Sequence, residues 1–461
     1  MSASSTAAAD RSAFEPTDTI AGRPAGRLTD RPADRLTDRL TADDETSFID
    51  QRLLIESIEL VGNTRTHRDV ILEKLLVHAG EFVDEGKLEE SRFRLLGTGF
   101  FRTVEFSLRR GSKRGLARLR VAVSERNTFL VDDLYLGSSS VVPYFAGLGM
   151  TEHNFLGRGV SLGGGFVIGR DRRAFDLAVF APYISSTPLQ ISASLLVAKG
   201  LELIDPETTD RAFAYQRLGG TFGVGYGVAP AQRIALTYRV ESVRADVLPD
   251  LDGEVRARAP QIIAGDSFIS SLALSYERDT RDDPFVPAQG GRFTASIEVA
   301  TSVLRSDYEF SKYTAEFQHG FLLFGRHRFV LTAFGGFIQG RAPFFNQFFL
   351  NDFAYFVFGR DSLPRDAQVN FSESNDYDDL VMSLDANYNI PLVQGDDAIY
   401  AMYFFIGANV AGTASLEETQ EDSTGRGAGG HSPLSFDAGI KLDTYIGNFT
   451  LSLAYSLDLL Y

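Results

Sequence analysis

Two kinds of hydrophobic pattern divide the chain near Thr128. Before it, from Leu53 onwards, alternating segments are mixed with two segments of helical period. After it, helical periodicity stops and short segments alternate between apolar and polar residues. The clearest are residues 234–241 and 449–461, in which a large apolar side chain stands at every second position. The pattern therefore predicts a small α/β unit followed by a long all-β region.

The small unit reads as strand, helix, helix, strand, strand. Thr66 stands where a polar side chain caps the first turn of a helix, and a second helix is predicted after Asp84. Gly97 and Gly99 stand where the second helix is expected to end. The predicted strands are residues 54–61, 104–108 and 119–123, and Gly62-Asn63 is a turn signal after the first of them.

The all-β region contains about 15 alternating segments in roughly 330 residues. Tight turns such as Gly290-Gly291 alternate with long polar stretches at residues 249–267, 362–379 and 415–431. Short turns on one side and long loops on the other are typical of membrane barrels, whose strands place one face towards lipid and the other towards a polar interior. A soluble β-sandwich alternates similarly, but so many segments without a domain break count against it. The sequence predicts a membrane all-β fold, an antiparallel transmembrane β-barrel of about 16 strands.

Composition agrees with this prediction. Mean hydropathy is −0.07, and no apolar stretch approaches the ~20 residues of a spanning helix, but a barrel strand needs an apolar residue only at alternate positions. The 37 Phe and 17 Tyr suit aromatic girdles, and the absence of Cys excludes disulfides and thiolate sites. The net charge of −16 argues against a general nucleic-acid binder.

The first ~50 residues are poor in large apolar side chains and contain an eight-residue echo, residues 23–30 and 31–38. Composition predicts a disordered leader, with a tether or a partner-binding arm as the alternative. An exported barrel is expected to follow a signal peptide, yet residues 1–51 have no basic start followed by an apolar core. A misassigned start, a lost signal and a mature tail all remain open as explanations.

Three short motifs mark the small unit. They are Gly62-Asn63-Thr64 after the first strand, Gly97-Thr98-Gly99-Phe100-Phe101 before the second, and residues 121–125 at the end. In this order they resemble the POTRA domain, with Gly62, Asn63, Gly99 and Phe100 as landmarks. The resemblance implies a periplasmic domain that adds substrate strands to an exposed sheet edge. An ordinary α/β spacer is the alternative.

Two further motifs lie in the all-β region. Asn154-Phe155-Leu156-Gly157-Arg158-Gly159 follows the small unit, and residues 276–284 are followed by Pro287 and Gly290. Both are similar to turns of the BamA/TamA family, which joins POTRA domains to a bacterial surface antigen barrel. The resemblance implies three parts: a leader at residues 1–50, a POTRA-like periplasmic domain at residues 51–127 and an outer-membrane barrel at residues 128–461. The candidate turn residues are Asn154, Gly157, Arg158, Gly159, Asp279, Arg281, Asp282, Pro287 and Gly290.

The acidic cluster in the second motif has a metal-binding alternative. Asp279, Asp282 and Asp283 together suit a hard divalent cation. The interleaved Arg278 and Arg281, with Pro and Gly beside them, favour an ordinary turn without metal.

A loop motif departs from the family. Residues 343–349 resemble the approach to a loop that folds back into the barrel, and the family's tip reads Val-Arg-Gly-Phe. Here the tip is Val357-Phe358-Gly359-Arg360. The resemblance implies that the tip arginine contacts an acidic residue of the inner wall, but the matching stretch, residues 404–410, has no Asp. Either this lock is absent, or Arg360 contacts another carboxylate, for which Asp385 and Asp437 are candidates; each also suits an ordinary lumen residue.

The strand count is the second departure. Two periplasmic chain ends require an even number of strands, and the family's last strand would follow residues 448–461. Either a strand lies unrecognised upstream, or the seam between the first and last strands is unusual.

Enzymatic chemistry finds little support in the sequence. The six His show no metal-ligand spacing, and there is neither a Gly-x-Ser-x-Gly motif nor a phosphate-binding Gly loop. A rim lipase using His153 or His319 is the remaining enzymatic alternative. The six histidines of the chain are His67, His78, His153, His319, His327 and His431.

The resemblance predicts a factor that receives unfolded outer-membrane proteins through its POTRA-like domain and inserts them into the bilayer. No cofactor, metal or nucleic acid is expected. The expected partners are unfolded outer-membrane proteins or a secreted polypeptide, the lipid bilayer and periplasmic accessory proteins. A two-partner-type secretion pore and a passive structural or porin barrel are the alternatives.

Overall fold

The computed structural model describes residues 53–137, 144–182, 187–205, 210–229, 231–247, 261–349, 377–395, 398–414 and 433–458. The predicted leader, residues 1–50, and the loop tip Val357, Phe358, Gly359 and Arg360 lie outside these ranges. Within them, no helix has the length and apolarity needed to cross a membrane.

The small domain has the predicted order of elements. Its three-stranded sheet has the order β1-β3-β2, with β1 parallel and β2 antiparallel to the central β3. Ile55, Ile71, Leu95 and Leu119 are fully buried between the sheet and the helices, which form the domain's own core. The elements are β1 (Leu54–Val61), α1 (Arg68–Lys74), α2 (Glu85–Leu96), β2 (Phe101–Arg110) and β3 (Leu116–Glu125).

The structure has a helix cap at Asp84 but not at Thr66, where the sequence predicted one. Asp84 caps α2, since its carboxylate accepts a hydrogen bond from the Lys87 backbone N–H at 3.0 Å. The prediction for Thr66 is wrong, because α1 begins after His67, which caps it without a side-chain hydrogen bond. The Thr66 hydroxyl instead accepts a hydrogen bond from the Asn154 amide of the barrel at 2.9 Å. A tertiary contact has replaced the local one.

The second region is a closed barrel of fifteen strands in the described residues, one fewer than the approximate number predicted. Neighbouring strands are antiparallel except at the closure, where the first and last strands run parallel. Two short strands, β15 and β16, pair only with each other. Short 3-10 helices lie at Ser302–Leu304 and Phe344–Asn346. The strands are β4 (Phe129–Gly137), β5 (Phe145–Phe155), β6 (Val160–Gly169), β7 (Arg173–Ala181), β8 (Leu189–Asp205), β9 (Asp210–Ala229), β10 (Gln232–Val247), β11 (Gly265–Asp279), β12 (Gly291–Ala300), β13 (Glu309–Leu323), β14 (His327–Arg341), β15 (Phe348–Phe349), β16 (Tyr377–Asp378), β17 (Leu380–Gln394), β18 (Ile399–Ala414), β19 (Pro433–Thr444) and β20 (Gly447–Asp458).

The outer face of the barrel carries the predicted row of large apolar side chains. Phe222, Leu236 and Leu274 on β9, β10 and β11 are each about half exposed, as expected of residues whose solvent is lipid. The prediction of a polar interior is only partly right. Arg217 and Glu241 do face inwards, but an apolar cluster around the 3-10 helix Phe344–Asn346 fills part of the lumen at the end away from the small domain.

Candidate functional site

The small domain is joined to the barrel by the turn between β5 and β6. Asn154 builds this turn, because its side-chain oxygen accepts from the Gly159 N–H at 2.7 Å. The Gly157 carbonyl accepts from the His67 N–H at 2.8 Å, at the start of α1. Gly157 has φ +69°, and a Cβ there would lie 2.0 Å from the Arg65 carbonyl oxygen. Only glycine therefore fits, which explains the motif; the side chain of its exposed Arg158 makes no polar contact with any described residue.

Glu125, the last residue of β3, fixes the loop that meets this turn. Its carboxylate accepts from the backbone N–H groups of Arg65 and Thr66, at 2.9 and 2.6 Å, and from the Thr64 hydroxyl at 2.7 Å. Burial alone would raise the pKa of the Glu125 carboxyl, but these hydrogen bonds, the one from Thr66 first, lower the pKa below its usual value. The charged carboxylate is thus built into the junction.

The four landmark residues of the small domain support the same junction. Gly62 has φ +94°, and a Cβ there would lie 2.0 Å from the Val123 carbonyl oxygen. The Asn63 amide donates to the Thr66 carbonyl at 3.2 Å. Gly99 has φ +73° before Phe100, whose ring lies 3.6 Å from the position of a Cβ on Gly159. We call the contact surface formed by residues 62–67, 99–100, 125 and 154–159 the junction.

Arg126 and Asn127, between β3 and β4, contact the last hairpin of the barrel. The Arg126 guanidinium donates to Asp443 at 3.1 Å and lies 4.6 Å from the centre of the Tyr400 ring. The Asn127 amide donates to the Tyr445 carbonyl at 2.8 Å. The linker therefore fixes the start of β4 beside the turn between β19 and β20.

The turn between β11 and β12, where the sequence also suggested a metal site, uses its carboxylates internally. Asp279 pairs with Arg281 at 2.7 Å, and Asp282 accepts from the Ala288 and Gln289 N–H groups. Asp283 pairs with Arg328 of β14 at 2.7 Å. These contacts account for the motif as a structured turn, and no three acidic or His side chains in the described ranges are grouped to hold a metal.

This turn folds into the near end of the barrel, by which we mean the end that faces the small domain. Val286 is only 1% exposed and packs against Val330 and Tyr403 on the inner wall. Gly290 and Pro287 form the bend. Gly290 has φ +80°, and a Cβ there would lie 2.0 Å from the Thr280 carbonyl oxygen. Pro287 packs against Gly320, where a Cβ would lie 2.5 Å from the Pro287 carbonyl oxygen.

The two candidate partners of Arg360 lie on one part of the inner wall. Asp385 on β17 is 3% exposed and accepts a hydrogen bond from the Asn387 amide. Asp437 on β19 and Asn387 both approach Gly407 on the intervening β18: their side-chain oxygens lie 2.0 and 3.0 Å from the position of a Cβ there. Both amide atoms of the nearby Asn409 are buried without a hydrogen-bond partner among the described residues. We call these residues the wall patch.

The closure between β4 and β20 is the weakest contact between neighbouring strands. Its register contains a single residue pair, Val131 with Gly447, and the Val131 N–H donates to the Ile446 carbonyl at 2.8 Å. Elsewhere the pairing runs along whole strands, as between β8 and β9 from Leu189 to Asp205. On β20 the outward Leu451 and Leu453 are 76% and 87% exposed, more than most outward residues of the other strands. We call this closure the seam.

Comparison with known sequences decides the family. The profile of the Omp85 superfamily domain matches residues 154–458, and that of the surface antigen variable number repeat, the POTRA domain, matches residues 53–126. The chain belongs to the Omp85 superfamily. Within it, the chain is a divergent member of BamA/TamA type, and family and fold together place it in the outer membrane.

Two curated relatives are each named outer membrane protein assembly factor BamA. The protein of Nitratidesulfovibrio vulgaris (strain Hildenborough) is 24% identical over 69% of this chain and 39% of its own length. That of Neorickettsia risticii (strain Illinois) is 27% identical over 68% of this chain and 42% of its own length. The chain thus spans about two fifths of these relatives.

Solved structures confirm the fold. BamA from Haemophilus ducreyi lacking POTRA domains 1–3 superimposes with a TM-score of 0.52 and 15% identity, covering 89% of this chain and 82% of that one. CdiB from Escherichia coli gives a TM-score of 0.60 and 12% identity, covering 89% and 73%. At these identities the likeness concerns architecture alone.

Sequence reasoning missed the buried charges of this Omp85 barrel. Arg217, Glu241 and Arg239 sit in alternating strands like any lumen residue, and only the register of β9 and β10 brings them together. An arginine or glutamate recurring at inward positions of adjacent strands was the one signal in the sequence.

Proposed function

We propose that this Omp85 protein is an outer-membrane assembly factor that receives unfolded outer-membrane proteins and releases them into the bilayer through its seam. The single observation that carries the proposal is the pairing of β4 and β20 at one residue pair. All other neighbouring strands of the barrel pair along most of their length. The seam is therefore the place where the barrel opens at least cost.

The direction of the two seam strands supports this proposal. Because β4 and β20 run parallel, a strand inserted between them would be antiparallel to both and would find ladder partners on each side. Backbone groups within a bilayer must be hydrogen bonded, so an incoming strand gains most at such an edge. Strand pairing and burial in lipid supply the driving force, and the proposed function involves neither a cofactor nor a catalysed reaction.

The proposal assigns separate tasks to the parts of the chain. Residues 51–127 form a periplasmic domain that first receives the substrate, residues 128–461 form the barrel, and residues 1–50 are a leader. The sheet order β1-β3-β2 leaves β2 at an edge, where an extended segment can be added. Accessory periplasmic proteins are further expected partners.

The wall patch supports a role for the loop tip. In this proposal Arg360, within the motif Val357-Phe358-Gly359-Arg360, contacts Asp385 or Asp437 and holds the loop in the lumen. Those carboxylates lie on β17 and β19, on either side of β18, and the Asp437 carboxylate occupies the space that a side chain on Gly407 would take. The lock would thus persist with its arginine and its carboxylate at new positions.

Depletion tests the function directly. We expect removal of this protein to leave other outer-membrane barrels unfolded in the periplasm, as measured by their heat-dependent gel mobility and protease sensitivity. Correct insertion of those barrels after depletion would contradict the proposal.

Photo-crosslinking tests the route. A photoreactive residue at Leu453 of β20 should form adducts with newly made outer-membrane proteins. Leu236, an outward residue of β10 remote from the seam in strand order, is the matched control and should contact lipid only. Equal adducts at the two positions, or none at Leu453, would refute the seam as the route.

A secretion pore or a passive porin is the alternative function. Either would require a passage through the lumen, whereas the cluster of Phe344, Phe348 and their neighbours occupies it at one end and Val286 packs inside the other. Open-channel conductance of the purified protein, or a secreted partner that depends on it, would favour these alternatives.

A further inference from the structure

A network of buried charges lines the inner wall on β9, β10 and β12. Arg217 and Glu241 are 3% and 2% exposed, and two hydrogen bonds join the guanidinium to the carboxylate. Arg239 donates to the same carboxylate at 2.7 Å and to Glu298 at 3.3 Å. Buried ion pairs contribute little net stability, because desolvation offsets their attraction. Such a network calls for a reason other than the stability of the wall.

Three cations of the wall contact consecutive residues of the segment that follows β14. The Arg217 guanidinium lies 3.7 Å from the centre of the Phe345 ring. Arg239 donates to the side-chain oxygen of Asn346 at 3.2 Å, and Lys312 of β13 donates to the carbonyl of the same residue at 3.0 Å. The network is thus complete only when this segment is folded into the lumen.

Phe344 adds an apolar contact at the same place. It is fully buried, and its ring centre lies 5.4 Å from that of Phe213 and 5.2 Å from that of Tyr215 on β9. The ring of Tyr377 lies 5.3 Å away. Aromatic pairs at these separations and inclined angles are favourable beyond their buried area.

Tyr377 is the first residue of β16, and it contacts a second buried ion pair. Its hydroxyl donates to Glu202 of β8 at 3.0 Å, and Arg172 donates to the same carboxylate oxygen at 3.0 Å. The short pair of β15 and β16 joins the outgoing and returning chain. The described residues on both sides of the stretch from residue 350 to residue 376 are therefore attached to the inner wall.

We propose that Arg217, Glu241 and Arg239 are positioning residues that, with Phe344, anchor the base of this stretch in the lumen independently of Arg360 at its tip. The base anchor keeps that end of the barrel filled whether or not the tip engages the wall patch. This inference rests on the barrel fold and requires no assembly activity.

Thiol labelling measures whether the base is anchored. The chain has no Cys, so Ala342→Cys, at a position 2% exposed next to the segment, supplies a single buried thiol. Its reaction with a water-soluble maleimide, in the full chain embedded in lipid nanodiscs, reports how often the segment leaves the wall. We expect Phe344→Ala to speed labelling by about tenfold or more, because it removes a contact made only in the inserted state. We expect a similar effect of Glu241→Gln, because this change removes the carboxylate that positions Arg217 and Arg239 against the segment.

The matched control is Glu277→Gln. Glu277 of β11 also accepts from two arginines, Arg233 and Arg292, at 2.8 and 2.9 Å, but it lies at the near end of the barrel away from Phe344. We expect Glu277→Gln and Arg360→Ala to label at the rate of the parent. Retained β-sheet circular dichroism shows that each variant is folded.

Two outcomes would overturn the proposal. One is labelling of both Glu241→Gln and Phe344→Ala at the parent rate. The other is an Arg360→Ala variant that labels as fast as Phe344→Ala, which would assign the anchor to the tip. Neither outcome bears on the assembly function, which depletion and seam crosslinking test separately.

Discussion

The junction and the seam lie within a few residues of each other along the chain, yet they are built in opposite ways. At the junction, a Cβ on Gly157 would meet a carbonyl oxygen at 2.0 Å, and one carboxylate, Glu125, accepts three backbone N–H groups. At the seam, two strands share one residue pair. Arg126 and Asn127 contact the last hairpin just before β4 enters the seam.

The difference indicates that the contacts at the junction are much stronger than those at the seam. Close steric fit and charged hydrogen bonds fix the POTRA domain beneath the barrel and tie the two seam strands at their near ends. Above Val131 nothing comparable joins β4 to β20 in the described strands. The chain therefore has a closely fitted base and a seam with little strand pairing, and four substitutions test that contrast.

Gly157→Ala should have the largest effect. The new Cβ would clash with the Arg65 carbonyl in a left-handed backbone, and we expect the junction to lose about 3 kcal/mol. Hydrogen exchange at the His67 amide, which donates to Gly157, should then accelerate about a hundredfold. Gly325→Ala is the control, since Gly325 has φ +75° with open space around it and should cost only about 1 kcal/mol. Equal effects would mean that strain, not fit, explains Gly157.

Protonation of Glu125 should have the next largest effect. Its pKa is lowered in the folded domain, so its contribution is fully present above the unfolded value of about 4.3 and is lost as the pH falls through the lower folded value. We expect Glu125→Gln to cost about 1–2 kcal/mol at pH 7, allowing for partial solvent screening. Calorimetry of the POTRA transition between pH 3 and pH 7 should show an acid decrease in Tm that the variant lacks. A parallel decrease in both proteins would contradict this assignment.

Arg126→Ala should weaken the link between the two regions by about 1 kcal/mol, since its pair with Asp443 is only partly screened. We expect exchange at the Val131 amide to rise about fivefold, because the start of β4 is no longer fixed. Arg92→Ala removes a similar ion pair and ring contact on α2 and should leave Val131 unchanged. An unchanged Val131 in both variants would separate the linker from the seam.

Val131→Pro should have the smallest effect. Proline removes the N–H that donates to Ile446, and a seam joined by one pair should lose less than about 1 kcal/mol. The same change at Val240, in a strand paired along its length with both β9 and β11, should cost about 3 kcal/mol or more. Urea midpoints in bilayers compare the two. Similar losses would show that the seam contributes as much to the free energy of unfolding as a regular strand pair does.

Much of the fold follows from the sequence because periodicity is a local property. β1 was predicted at residues 54–61 and occurs at Leu54–Val61, and the alternation at residues 234–241 lies within β10. The second helix was predicted after Asp84 and begins at Glu85. Thr66 shows the limit, because its hydroxyl is used by Asn154, a residue far away in the chain.

The site was less accessible to sequence reasoning. The glycines of the junction could be read as turn signals, but the carbonyl that excludes a side chain at Gly157 belongs to another domain. The network around Arg217 depends on strand register, and the seam depends on how many pairs form between the two ends of the barrel. Neither quantity has a local pattern.

The parallel pairing at the seam follows from the odd number of strands in the barrel. The closed sheet has fifteen strands in the described residues, an odd number, so strand direction cannot alternate all the way round, and two parallel neighbours, β4 and β20, are found. One extra strand restores alternation around the whole ring, whereas a hairpin contributes two and leaves the fault in place. Under the proposed function, such a ring would accept a single strand more readily than a preformed hairpin.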